Sequence, residues 1–379
     1  MADKKPHVVL ASGGTGGHLF PAESLARKLL DKDCEVTMIT DSRGKVFENL
    51  SGQVHVQSIR AATMKPGLPA KIKAMMNIGI GILQASFFLI KKRPDVVIGF
   101  GGYPSFPTVF AAQKLGIKTI LHEQNAVLGK ANAWLAPGAK VIATSLPDVG
   151  GLSDKDKSKA VLTGNPVRAE ICEYRDAPYT APKEDGVLNI FVLGGSQGAQ
   201  IFSEIIPTAM EKLPDSLKPR INLVQQCRAD DIEAVRSRYK RIGIEAELES
   251  FFSDVPGRLN KCHLYIGRSG ASSVAELAVI GRPAIFIPLM INPDQKANAD
   301  AIADAGGGWV MLQEGFTPEA LVTRIETFIS LPQSLEQVAK ASHACGRPEA
   351  AEELAKLVLS EIRAKIKSKQ DRNLEGEAA

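Results

Sequence analysis

At 379 residues, with 44% hydrophobic and 23% charged content, the chain is too long for one ordinary core, because domains usually hold about 100–200 residues. Two globular domains are expected, and a formal charge of +4 is too small to imply nucleic acid as a partner. Five cysteines, Cys34, Cys172, Cys227, Cys262 and Cys345, are odd in number and form no CxxC pair, which argues against a disulfide framework or a zinc site and for a reducing cytosol.

Met1 to Pro6 carries two lysines and no apolar signal core, so secretion is not expected. A strand, Val8 to Ser12, leads into a glycine loop, a helix to about Leu30, and a second strand, Glu35 to Thr40. This is the β–loop–α–β pattern of a parallel sheet covered by helices. Between Glu48 and Asp95 there is no carboxylate, whereas Arg60, Lys65, Lys71, Lys73, Lys91, Lys92 and Arg93 all fall there. These bases bracket the apolar run Met75 to Ile90, which is shorter than the ~20 residues a membrane-spanning helix needs. Two readings stand side by side: a buried helix with a solvated basic rim, and a surface that touches a membrane. Strands rich in Val and Ile follow at Asp95 to Gly99, Lys118 to Leu121 and Lys140 to Ala143, as expected of strands buried on both faces.

After a hinge between Gly164 and Gly186 the pattern restarts. Leu188 to Leu193 runs into GGSQGA and a helix, and strands at Ile221 to Gln225, His263 to Ile266 and Ala284 to Ile287 continue the second unit. Pro348 to Lys369 places Ala351, Leu354, Leu357, Val358, Ile362 and Ile366 at helical spacing, so this helix is expected to pack one face on a domain. The fold class is α/β, with two Rossmann-like doubly wound domains.

Three glycine loops each follow an apolar strand: Gly13-Gly14-Thr15-Gly16-Gly17-His18, Gly99-Phe100-Gly101-Gly102-Tyr103-Pro104 and Gly194-Gly195-Ser196-Gln197-Gly198. Glycine permits a sharp turn and close approach to a ligand, and a helix starting there directs unpaired N–H groups at an anion. Such loops also occur for packing alone, so one is weak support and three are stronger. There is no GxxxxGK[ST], and Leu19 stands where the last glycine of GxGxxG belongs, so a P-loop ATPase and an NAD enzyme are disfavoured. The six histidines are dispersed, and no metal site is expected. A diphosphate leaving group would then be neutralised by N–H groups, helix ends and a side chain such as Arg168.

GGTGGHLFP (Gly13 to Pro21), GFGGYPSFP (Gly99 to Pro107), HEQN (His122 to Asn125), TGNPVR (Thr163 to Arg168), GGSQGA (Gly194 to Ala199), RSGASSVAE (Arg268 to Glu276) and DQKANA (Asp294 to Ala299) occur in that order. Together, over nearly the whole chain, they resemble the MurG family within glycosyltransferase family 28. Its members are the bacterial UDP-N-acetylglucosamine:undecaprenyl-diphospho-muramoylpentapeptide transferases. The resemblance implies a GT-B fold with domains at 1–168, joined by a C-terminal helix at 346–379, and at 169–345, facing each other across a cleft that holds the active site. It implies inverting transfer without a cofactor or bound metal, from a UDP-N-acetylglucosamine donor to the C4 hydroxyl of the muramoyl sugar in undecaprenyl-linked lipid I. The products would be lipid II and UDP, for peptidoglycan synthesis. The protein would sit peripherally at the cytoplasmic face of the inner membrane on an anionic membrane surface, with cell-wall synthesis proteins as possible partners.

Carried across motif by motif, Glu276 would accept hydrogen bonds from the ribose hydroxyls, Ser196 and Gln197 would contact the diphosphate, and Arg168 would add positive charge beside it. Phe252 would hold uracil through its backbone. Ala271, Ser272, Ser273, Val274, Ala275 and Glu276 would form the loop and helix start beneath the nucleotide. Gln295, Asn298 and Asn125 would read sugar hydroxyls, while Thr15, Gly16 and Gly17 would close over the donor and receive the acceptor's diphosphate. His18 is the candidate base, since imidazole titrates near pH 6.5, with Glu123 as its nearest replacement. The rival reading is that the His18 ring only binds the acceptor's diphosphate or caps the following helix. Asp294 departs from the His or Gln of many relatives, and Phe252 from a smaller apolar residue. Rival readings are a transferase for another glycolipid such as diacylglycerol, a UDP-N-acetylglucosamine 2-epimerase, a non-catalytic UDP-sugar sensor and, last, an NAD oxidoreductase.

Overall fold

The computed structural model describes residues 5–13, 16–41, 52–62, 67–195, 198–291 and 293–377, with side chains up to residue 364. Gly14, Thr15, Lys65, Ser196 and Gln197 lie outside the described residues, as does the side chain of Ile366. The chain forms two compact units, Met1–Val167 with Glu349–Ala379, and Arg168–Pro348.

The first unit is built in chain order from β1 (His7–Ala11), α1 (Gly16–Asp31), β2 (Glu35–Thr40), β3 (His55–Ser58), α2 (Leu68–Lys92), β4 (Val96–Gly99) and α3 (Gly102–Lys114). It continues through β5 (Lys118–Glu123), α4 (Lys130–Leu135), β6 (Val141–Thr144), α5 (Asp154–Lys157) and β7 (Ala160–Leu162). The strands make one parallel sheet in the order β3-β2-β1-β4-β5-β6-β7. Strand residues alternate between faces, and the alternation separates two cores. Val8, Leu10, Val36, Met38 and Ile98 meet Leu19, Leu25 and Leu29 of α1, whereas Val9, Ala11, Ile39 and Val97 meet α2 and α3 through Leu89, Val109 and Ala112.

The C-terminal helix, Ala350–Glu377, joins this unit. Its Leu354, Val358 and Ile362 are buried in the α1 core, each contributing about 1.5–3 kcal/mol by burial. Lys32 to Glu352 at 2.6 Å and Lys118 to Glu361 at 3.2 Å fix its register.

Helix α2 has one buried face and one exposed apolar face, so each of the two readings of its sequence describes one side of it. It is 25 residues long, longer than the apolar run because Leu68 to Ala74 are also helical. By length and composition it could cross a membrane. Ala74, Gly81, Ala85, Phe88 and Leu89 are buried, whereas Leu68, Ile72, Met75, Met76, Leu83, Phe87 and Ile90 form a second apolar stripe that is more than half exposed throughout. Only 28% of its most apolar window is buried, so it is not simply a core helix.

The second unit follows the same plan. It contains α6 (Ala169–Cys172), β8 (Leu188–Leu193), α7 (Gln200–Lys212), β9 (Ile221–Gln226), α8 (Ile232–Arg241), β10 (Ala246–Glu249) and α9 (Val255–Lys261). It then runs through β11 (Leu264–Gly267), α10 (Ala271–Ile280), β12 (Ala284–Phe286), α11 (Pro293–Ala303), β13 (Trp309–Val310), α12 (Pro318–Ser330) and α13 (Gln333–Ala344). The parallel sheet has the order β10-β9-β8-β11-β12-β13. Leu188, Ile190, Val192, Leu223 and Leu264 pack on Phe202, Ile206 and Met210 of α7 and on Leu321, Ile325 and Phe328 of α12.

Candidate active site

In open parallel sheets, ligands bind outside the carboxyl ends of the strands where the strand order reverses. In the first unit the reversal lies between β1 and β4, so the loops leaving these two strands frame the position. His18 stands in the first turn of α1, and Ser12 Oγ donates to its carbonyl at 2.8 Å. Its ring lies over the glycines that open α3. Gly101 and Gly102 have φ of 77° and 72°, a left-handed region that side chains avoid. A Cβ on Gly102 would stand 3.3 Å from His18 Cδ2 and 3.5 Å from Nε2. The loop after β4 therefore needs glycine to turn, and it packs directly against the His18 ring.

The other ring nitrogen is held. His18 Nδ1 is 3.1 Å from Gln124 Oε1, Gln124 Nε2 is 2.9 Å from His122 Nδ1, and His122 Nε2 is 3.1 Å from the carbonyl of Gly164. His122 is fully buried, and burial first, then the nearby His18, lowers its pKa to about 4. It is thus neutral at physiological pH.

The next residue, Glu123, is also buried, and four donors occupy its carboxylate: Asn125 N and Nδ2 at 3.0 and 3.1 Å, Gly129 N at 2.9 Å and Asn132 Nδ2 at 2.8 Å. This arrangement suits Glu123 to shaping the loop after β5, not to receiving a substrate proton. It also orients Asn125, whose amide nitrogen is committed to Glu123.

In the second unit the order reverses between β8 and β11. The glycine loop after β8 turns where Gly194 N–H donates to Gln226 Oε1 at 2.9 Å, and a Cβ on Gly194 would stand 2.5 Å from Ala199 N. After β11, the chain turns at Gly270 into α10 with no side-chain cap. The start of a helix that no side chain caps is the kind of place where an anion meets backbone N–H donors. Val274 N closes the first turn on the Gly270 carbonyl at 3.0 Å.

Glu276 lies one turn further on, 5% exposed. Arg168 grips it, with Nε and Nη2 each 2.8 Å from a different carboxylate oxygen. Sequence placed Arg168 beside the diphosphate and Glu276 on the ribose; the structure brings the two together. An ionised carboxylate offers about four lone-pair sites, so ribose hydroxyls would share Glu276 with Arg168 or displace it.

Gln295 and Asn298, expected to read the sugar, brace the loop between β11 and α10. Ser269 Oγ donates to the Gln295 carbonyl at 2.7 Å, Asn298 Nδ2 donates to the Ser269 carbonyl at 3.2 Å, and Gln295 Oε1 accepts from Leu289 N at 2.9 Å. Asn298 is buried. The Phe252 ring is buried too, edge-on to Phe191 at 5.6 Å, with the Arg258 guanidinium 4.3 Å above it. Aromatic packing accounts for the phenylalanine at this position and leaves only its backbone for a ligand contact.

Residues 8–144 match the glycosyltransferase family 28 N-terminal domain and residues 189–354 its C-terminal domain. The chain belongs to glycosyltransferase family 28. The family 28 match covers both units and carries the GT-B fold of paired Rossmann-like domains. The chain is 50% identical to a Rhodospirillum centenum protein over 93% of both chains, and 46% identical to one from Paramagnetospirillum magneticum over 96% of this chain and 98% of the other. Both relatives are named UDP-N-acetylglucosamine–N-acetylmuramyl-(pentapeptide) pyrophosphoryl-undecaprenol N-acetylglucosamine transferase. Among solved structures, MurG of Acinetobacter baumannii superposes with a TM-score of 0.76 at 28% identity, over 94% of this chain and 99% of that one.

Within the family 28 framework, sequence reasoning passed over Gln124 and His122. Both lie in the HEQN motif, but a buried glutamine between two histidines has no signature until β5 fixes which side chains share a face.

Proposed function

We propose that this family 28 enzyme transfers N-acetylglucosamine from UDP-N-acetylglucosamine to the C4 hydroxyl of the muramoyl sugar of lipid I, with inversion, giving lipid II and UDP for peptidoglycan synthesis. The observation that carries the substrate assignment is 50% and 46% identity, over nearly full length, to two transferases named for this donor and acceptor. A 2-epimerase or a transferase for another glycolipid has no comparable support.

The chemistry follows from the residues. His18, held through Nδ1, presents Nε2 to the acceptor hydroxyl and takes its proton as the oxygen attacks the anomeric carbon. The bond from that carbon to the UDP oxygen breaks, and the departing diphosphate meets N–H groups at the start of α10 and the charge of Arg168. Glu276 fixes the ribose. No step needs a metal ion. Gly16 and Gly17, with Thr15, receive the acceptor's diphosphate, and Ser196 and Gln197 contact that of the donor.

The exposed stripe of α2 supports a peripheral position on the cytoplasmic face of the membrane. Seven apolar residues on one helix face, with exposed Lys71 and Lys73 near one end and Lys91 and Lys92 at the other, suit an anionic bilayer surface.

Purified protein supplied with labelled UDP-N-acetylglucosamine and, in parallel, lipid I, diacylglycerol or no acceptor tests the reading. Label should appear only in a product of lipid I. An altered free sugar nucleotide without acceptor would replace the proposal with epimerisation.

A further inference from the structure

We propose that Gln124 and His122 are positioning residues that set the tautomer of His18, so that its Nε2 carries the lone pair. The inference deepens the base assignment and rests on it.

The assignment of protons needs only groups that can do one thing. A backbone carbonyl can only accept. Gln124 Nε2 lies 3.2 Å from the His122 carbonyl as well as 2.9 Å from His122 Nδ1, so the amide nitrogen, not the oxygen, must face inward. The amide oxygen then faces His18 Nδ1 at 3.1 Å, and an amide oxygen also only accepts. His18 must therefore carry its proton on Nδ1.

The inner end is closed by the same logic. The Gly164 carbonyl at 3.1 Å obliges His122 to carry its proton on Nε2, leaving Nδ1 to accept from Gln124. Protonating His122 would put an N–H against the Gln124 amide, and burial opposes this, holding the His122 pKa at about 4. Asn132 Nδ2, also 3.2 Å from the His122 carbonyl, adds a second donor there. The chain of bonds runs from His18 to the backbone just before Arg168 and contains no carboxylate. Gln124 and His122 are 3% and 0% exposed, so the bonds between them and to Gly164 are shielded from water.

A neutral histidine with no such partner favours its proton on Nε2, the form that cannot accept from a hydroxyl there. Nitrogen-15 NMR of the histidine rings in the intact protein reads the tautomer directly. Wild type should show His18 protonated on Nδ1, and Gln124→Ala should lose that preference. The same variant should lower kcat by between roughly tenfold and the ~10⁴-fold that accompanies a histidine base in the wrong tautomer, with the KM of both substrates little changed. Gln124→Glu keeps an acceptor toward His18 but loses the donor to His122 Nδ1 and its carbonyl, so it should keep the Nδ1-protonated tautomer while recovering only part of kcat.

Two results overturn the proposal separately. A wild-type tautomer in Gln124→Ala, or an Nε2-protonated His18 in wild type, removes the relay whatever the activity. A normal kcat in His18→Ala instead removes the base assignment beneath it.

Discussion

Arg168 Nε and Nη2 donate to the two oxygens of Glu276, each at 2.8 Å, and both side chains are largely buried, 19% and 7% exposed. Two residues expected to touch different parts of one ligand are thus partners of each other. On the proposed function a donor would share or rearrange this pair, so each residue would affect stability and affinity together.

Glu276→Ala is predicted to raise the KM of UDP-N-acetylglucosamine by about ten- to a hundredfold, since hydrogen bonds to a charged group contribute about 1.5–3 kcal/mol. It should also lower Tm, because it removes the bidentate carboxylate from a largely buried Arg168. Discrimination against a 2′-deoxyribose donor should fall. Unchanged donor KM and selectivity, with a lowered Tm, would reduce Glu276 to a structural ion pair. Steady-state kinetics and a melting curve check both parts.

His122 gives a pH signature with a fixed sign. Burial lowers its pKa from 6.5 to about 4 in the folded state, so below pH 6.5 the unfolded chain binds a proton that the folded chain refuses. Stability contributed by the neutral ring is intact above pH 6.5 and is lost as pH falls toward 4, to a total of about 3 kcal/mol. The Tm of wild type should therefore drop more steeply between pH 6.5 and 4 than that of His122→Gln. Parallel curves would show that the ring is not the group responsible.

Arg282 is 2% exposed and donates to the carbonyls of Leu259, Asn260 and Ile280, with a further bond to Asn260 Oδ1. It ties the carboxyl ends of α9 and α10 together. Arg282→Met keeps the bulk but leaves these carbonyls without their donor, at about 1–3 kcal/mol for each one left unsatisfied. A loss of roughly 5 °C or more in Tm is expected, given about 2–4 °C per kcal/mol for a unit of this size. A change under 1 °C would mean that water replaces the guanidinium.

For the proposed membrane face, co-sedimentation with anionic vesicles should weaken when Lys71, Lys73, Lys91 and Lys92 become Gln, each cation contributing about 1 kcal/mol. Leu83→Asn with Phe87→Asn should remove the part of binding that survives high salt. Binding that persists through both sets of changes would place the membrane contact elsewhere.

The sheets were legible in the sequence where they are buried on both faces. β1, β2, β4, β5, β6, β8, β9, β11 and β12 read as apolar runs because helices cover them on each side. The strands passed over, β3, β7, β10 and β13, are the two edges of each sheet. HVQS and AELE carry polar residues since one side meets solvent, and nothing local distinguishes them from loop. The site was legible as motifs but not as partnerships. Glu276 and Arg168 are 108 residues apart, and His18 and Gln124 are 106 apart, so only the fold pairs them. Asn298 could be placed near the sugar by its motif, but not recognised as a buried brace for Ser269.

The catalytic role of His18 is tested most directly by kcat for His18→Ala at saturating donor and lipid I, with folding verified by an unchanged Tm. Loss of the base should lower kcat by ~10²–10⁴, or about 3–5 kcal/mol of barrier, with the KM of UDP-N-acetylglucosamine little changed. A kcat within a few-fold of wild type, accompanied by a raised acceptor KM, would contradict the assignment and make His18 a binding group.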